Sequence, residues 1–179
     1  ERTRCEEEDG NHFLRLRVTE PGKLVSLYRK LSLSTTDRAL ELCFRARYAD
    51  IKPGEQPWYD GRIMMNFIGA DGKKLPGAPA PYFRGTSPGW RAITNRFLVP
   101  EQAVALEFMP ALFMARSGTL DLDDFHLTTL DAAAADAMIA GKAEATRIKA
   151  EREALIAADL ALPAITPEIK VSSNTLVTV

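Results

Sequence analysis

The most conspicuous carboxylate cluster in this sequence is Asp121, Asp123 and Asp124. Alternation along a strand puts Leu120 and Leu122 on one side and Asp121 and Asp123 on the other, but Phe125 and Leu127 then fall on the opposite parity. One extra residue near Asp123-Asp124, a β-bulge, restores the pattern. A bulged aspartate pair offers side-chain and backbone oxygens together, the donor set that a hard cation such as calcium takes. The same pair is poorly built for glycosidic hydrolysis, which needs two carboxyl groups facing each other across a cleft. The plainer alternative is a set of solvated charges at a strand edge.

Other reactive groups are sparse. His12 and His126 are the only histidines, and their spacing makes no metal pair. A nucleophile elbow and a glycine-rich phosphate loop are both absent from the sequence. Cys5 and Cys43 do not define a disulfide framework. Cys43 sits in a strand-like run, where a free buried thiol acting as a small hydrophobe is the expectation.

Aromatic residues carry more information. Trp58 and Tyr59 occupy one proline-bearing loop, Tyr82 and Phe83 another, and Trp90 follows Pro88-Gly89. An exposed ring presents a flat apolar face on which the C–H face of a sugar stacks, while nearby amides and guanidiniums bond its hydroxyls. Arg45, Arg47 and Asn66 lie on strand faces opposite the apolar sets and suit that task. The competing reading makes Trp90 and Phe83 caps on the core, and leaves Trp58, in a loop, as the better platform.

The elements that position these groups are short and alternating. Leu14, Leu16 and Val18 alternate with Phe13, Arg15 and Arg17, the period-two mark of a half-buried strand. Leu24 to Leu33, Leu40 to Tyr48, Arg62 to Ile68, Trp90 to Val99, Ala103 to Met109 and Thr119 to Thr128 read as further strands. Leu75 to Gly89, rich in proline and glycine, reads as loop with at most a little edge strand. Seven or so short strands separated by turn signals predict an antiparallel β-sandwich over residues 1–130.

At Asp131 the composition changes. Alanine dominates to Leu162, with one glycine and no proline, and Asp131 is a fitting N-cap. Residues 131–162 read as a long helical spacer held by close ion pairs among glutamates, lysines and arginines. Pro163 stops it. Residues 163–179 then read as the start of a following domain, with 168–179 as a β-hairpin, since a lone hairpin is unstable in water.

Bulk properties exclude several classes. The 179 residues are 46% hydrophobic and 26% charged, with a formal net charge of −1. A near-neutral balance without basic clusters argues against nucleic acid or an anionic membrane as partner. Apolar runs such as Phe108 to Ala115 are too short to span a bilayer. The chain opens at Glu1 in a charged stretch, which reads as a mature or trimmed start.

Taken in order, Gly89-Trp90, Phe97-Leu98-Val99-Pro100, Ala103 to Phe108 and Gly118-Thr119-Leu120-Asp121-Leu122-Asp123-Asp124-Phe125 resemble the last third of jelly-roll carbohydrate-binding modules of the family 4, 9, 16 and 22 type. Leu40 to Tyr48 and Arg62 to Gly72 are similar to that family's central strands, so the resemblance spans about residues 11–129. It implies a non-catalytic module that binds β-glucan or xylan and serves a glycoside hydrolase. It also implies a structural calcium at Asp123 and Asp124 and a secreted or periplasmic location. The family's opening "N-G-x-F-E" segment is missing, which weakens the calcium expectation. Glu168 to Val177 resembles the entry hairpin of a family 5 type, cellulase-like hydrolase, implying that any catalytic domain lies downstream. The alternative function is a sandwich that buttresses such a domain without binding sugar.

Overall fold

The computed structural model describes residues 3–160. Eleven strands and one helix make up the described chain. One sheet has five strands, in the order β1 (Thr3–Glu8), β2 (Asn11–Arg17), β11 (Ser117–Thr129), β5 (Ala39–Lys52) and β9 (Arg91–Leu98). In the other, β10 (Ala103–Leu112) pairs on one side with β3 (Val25–Ser26) and β4 (Arg29–Ser32), and on the other with β6 (Gly61–Gly69). Short strands β7 (Lys74–Leu75) and β8 (Tyr82–Phe83) complete the far edge of β6. Every named pairing is antiparallel.

The sheets face each other over the apolar halves of the alternating segments. Leu42, Phe44 and Ala46 of β5, Leu120 and Leu122 of β11, Ile63 and Phe67 of β6, and Leu106 and Leu112 of β10 are buried in one core. Each large side chain so buried contributes about 1.5–3 kcal/mol of transfer free energy. Their outward neighbours, Arg45 and Arg47 on β5 and Asp121 and Asp123 on β11, line the outer face of the five-stranded sheet.

The bulge expected on β11 is present. Pairing with β5 shifts register between Asp123 and His126, and Asp124 adopts a φ of 51°. Phe125 is thereby turned inward. It stacks on Phe44 at 5.3 Å and meets Phe108 edge-on at 5.3 Å.

Three local expectations change. Leu24 to Leu33 is not one strand but β3 and β4, joined at Leu27-Tyr28. Strand β1 was not foreseen, because its glutamates hide any apolar alternation, yet it pairs with β2 along its whole length. Cys43 is not a buried hydrophobe: it is half-buried, with Sγ 3.5 Å from Thr94 Oγ1, and both cysteines are free thiols.

Helix α1 (Ala132–Leu160) begins at its cap, where Asp131 Oδ1 accepts from the Ala134 amide at 2.7 Å. Ala135 is its one buried residue. Arg147 bridges Glu144 and Glu151 at 2.6 and 2.5 Å, and Lys149 approaches Glu153 at 3.7 Å. Residues to Ile139 belong to one compact unit and those from Ala140 to a second. Among the described residues no helix is long and apolar enough to cross a membrane. The hairpin expected at 168–179 lies outside the described residues.

Candidate functional site

The predicted site residues separate onto opposite faces of the sandwich. Arg45, Arg47 and Trp90 lie on the outer face of the five-stranded sheet, where they join a charge-locked layer. Asp121, only 3% exposed, accepts from Arg15 Nε and Nη2 at 2.7 and 2.8 Å and from Arg47 Nε at 3.1 Å. Arg47 Nη1 also donates to Glu8 at 2.7 Å. The bond to Asp121 outweighs burial and raises the Arg15 pKa above its ordinary value. Trp90 meets the buried Phe13 ring edge-on at 5.4 Å. The guanidiniums of Arg47 and Arg45 lie 4.8 and 5.3 Å from the Trp90 centroid. The ring is thus engaged by the protein's own cations, an arrangement that stabilises the layer.

The aspartate pair expected to hold calcium has a cation of its own. Asp123 Oδ2 accepts from Asn11 Nδ2 at 2.9 Å and from Arg45 Nη2 at 2.7 Å. Arg45 Nε lies 2.7 Å from Asp124 Oδ2, an ion pair in which this buried nitrogen makes no hydrogen bond. The Asp124 amide donates to Asp123 Oδ1 at 2.8 Å. With a guanidinium between the two carboxylates, the pair as arranged does not fit a calcium ion, which would have to displace Arg45. Among the described residues no three His, Cys, Asp or Glu side chains gather as a metal site.

On the other side, the six-stranded sheet presents a different surface. Alternation along β6 sends Ile63, Met65 and Phe67 inward, and Arg62 and Asn66 outward. Asn66 Nδ2 lies 3.4 Å from Glu107 Oε2, and Tyr28 Oη donates to Glu107 Oε1 at 3.1 Å. Tyr82 pairs with Arg62 across β8 and β6. Trp58, Tyr82 and Tyr28 are 54%, 66% and 48% exposed.

What fixes Trp58 is a fully buried carboxylate. Asp60 is 0% exposed and ion-paired with Arg62 at 2.5 Å and Arg84 at 2.8 Å. The two guanidiniums reach onward to the loop backbone, Arg62 Nη2 donating to the Trp58 carbonyl and Arg84 Nη2 to the Pro57 carbonyl. The loop is closed by Gly54 N–H to the Tyr59 carbonyl at 2.8 Å and Tyr59 N–H to the Gln56 carbonyl at 3.0 Å. Only glycine fits at position 54, since a Cβ there would lie 2.1 Å from the Met114 carbonyl oxygen. Tyr59 packs edge-on against Phe113 at 5.3 Å, so it supports the loop from beneath. Arg84 also lies over the Tyr82 ring, 5.3 Å from its centroid.

Beside Tyr82 is a hollow of about 320 Å³ lined by Tyr48, Pro79, Arg91 and Asn95. Tyr28, Asp60, Arg62 and Arg84 were missed in the sequence. Tyr28 lies at the joint between two short strands, and no spacing links Asp60 to Arg84.

Solved structures share this architecture. One described as "Family 16 Carbohydrate Binding Module-2" matches at a TM-score of 0.53 and 16% identity, over 71% of this chain and 85% of that one. The fold is a jelly-roll β-sandwich. The enzymatically active domain of tailspike protein 4 from bacteriophage CBA120 matches at a TM-score of 0.56 and 12% identity, over 72% of this chain but 18% of that one. At such identities the likeness is one of fold. No protein-family model matches the sequence, and no curated protein sequence does. The Trp58 face combines exposed rings with fixed polar groups, whereas on the other face the half-buried Trp90 lines a hollow of about 480 Å³ with Asn11, Arg45 and Arg47, whose polar groups are already paired within the protein.

Proposed function

We propose that this chain is a non-catalytic carbohydrate-binding module whose ligand lies along the outer face of the six-stranded sheet. One observation carries the reading: Trp58 is half exposed, yet its loop is pinned by Arg62 and Arg84 through the buried Asp60. A fixed platform loses little conformational freedom on binding, so stacking is not offset by ordering the loop. Tyr82 and Tyr28 supply further rings. The partly exposed side chain of Arg84 and the polar pair Asn66 and Glu107 supply hydrogen bonds to hydroxyls.

An open face bearing several separated rings suits a chain of sugars better than a single one. We take the ligand class to be a β-glucan or xylan type polysaccharide, with the module ancillary to a downstream glycoside hydrolase and working outside the cytoplasm. Affinity electrophoresis against soluble β-glucans, xylan and mannan tests it, with Trp58→Ala as the loss variant. Unretarded migration on every polysaccharide would remove the reading and favour the buttressing role.

A further inference from the structure

At one edge of the sandwich the sheets part between β1 on one side and β3 and β4 on the other. The cleft between them has a volume of about 460 Å³. Its walls are inward side chains that no opposing strand among the described residues covers, among them Leu14, Leu31, Phe108, Phe125 and Leu127. The bulge at Asp124 is what places Phe125 here. Cys5 stands at the rim, and Arg29 is the single charged residue in the lining. A void of this size with such walls offers water few partners, whereas an apolar ligand would regain dispersion contacts with them.

Arg29 decides the polarity of that ligand. Arg15, Arg45, Arg47, Arg62 and Arg84 all have carboxylate partners. Arg29 donates from Nη1 to the Tyr28 carbonyl at 3.2 Å and has no carboxylate partner among the described residues. A guanidinium at the mouth of an apolar cleft is complementary to a molecule with one carboxylate and an apolar body, because charge-assisted, bidentate pairing is the strong form of the hydrogen bond.

We propose that the cleft between β1 and β4 is a second binding site, for an aliphatic monocarboxylate, with the chain against Phe108, Phe125 and Leu127 and the carboxylate on Arg29. The site is separate from the Trp58 face and stands independently of the sugar reading.

Decanoate, below its micellar concentration, and the neutral decanol, below its solubility limit, are the probes. Calorimetric titration should show saturable binding of both, with decanoate about tenfold tighter. Decanoate should slow alkylation of Cys5 by iodoacetamide and leave that of Cys43, on the outer sheet face, unchanged. Arg29→Gln should remove the tenfold preference and retain decanol binding, and Leu31→Trp, which fills the cleft, should remove both. No saturable binding with unchanged Cys5 reactivity would overturn the site. Equal affinity of the native protein for decanoate and decanol would overturn the role of Arg29, and that comparison needs no variant to fold.

Discussion

Arg84 holds the buried carboxylate of Asp60 at 2.8 Å, and the same guanidinium donates to the carbonyl of Pro57. Asp60 is therefore the anchor through which Arg62, on β6, and Arg84, just after β8, organise the loop carrying Trp58. The arrangement is a chain of causes: an uncovered ring needs a rigid support, and the support needs a carboxylate that water cannot reach. Removing one partner of such a buried set leaves uncompensated charge.

Asp60→Asn should accordingly cost about 3 kcal/mol of stability, because two guanidiniums lose the charge of a carboxylate that is itself closed to water. Urea denaturation measures the loss. A cost below about 1 kcal/mol would mean the arginines reach solvent without Asp60.

Arg45 between Asp123 and Asp124 makes a prediction about metal. Millimolar calcium or EDTA should leave the melting temperature of the native protein unchanged. Arg45→Ala releases both carboxylates, so calcium should then raise the melting temperature. A calcium-dependent rise in the native protein would show that the guanidinium yields to the ion.

The same residues give a pH dependence. Burial pushes the Asp123 carboxyl up, but donation by Asn11, Arg45 and the Asp124 amide, with the charge of Arg45, outweighs it and holds the pKa below its ordinary 3.8. A depressed folded-state pKa contributes stability that is present above the unfolded value and lost as pH falls through the folded one. The stability gap between the native protein and Asp123→Asn should thus be constant from pH 7 to 5 and narrow below about pH 4. Urea midpoints across that range check it, and a gap that widens on acidification would reverse the sign.

Helix α1 contains one glycine, Gly141, with open space where a Cβ would stand. Gly141→Ala should stabilise the helix by about 1 kcal/mol, and Asp131→Ala should cost it about as much through the lost cap. Far-ultraviolet circular dichroism on heating reports both. An unchanged helical signal in Gly141→Ala would mean the helix is held by contacts elsewhere.

Much of this was legible in the residues. Alternation from Leu40 to Tyr48 fixed the sides of β5, and the parity break at Asp123-Asp124 gave the bulge. The composition change at Asp131 marked the helix start. What failed was whatever depends on partners distant in sequence. The glutamates of β1 carry no apolar pattern, and only pairing with β2 makes them a strand. Arg45 and Asn66 both looked available for sugar. Which sheet a strand joins decides that they face opposite ways, and local spacing does not encode it. Trp90 and Trp58 likewise differ in their neighbours: Phe13, Arg45 and Arg47 pack against one, and a loop holds the other out.

That contrast gives the most direct measurement, affinity electrophoresis on soluble β-glucan and xylan with Trp58→Ala and Trp90→Ala side by side. Trp58→Ala should lose at least about thirtyfold in affinity while keeping its stability within about 0.5 kcal/mol. Trp90→Ala should lose stability, because its packing on Phe13 and the arginines goes, yet retain binding when folded. Loss of binding in folded Trp90→Ala with full retention in Trp58→Ala would place the ligand on the five-stranded sheet and contradict the account.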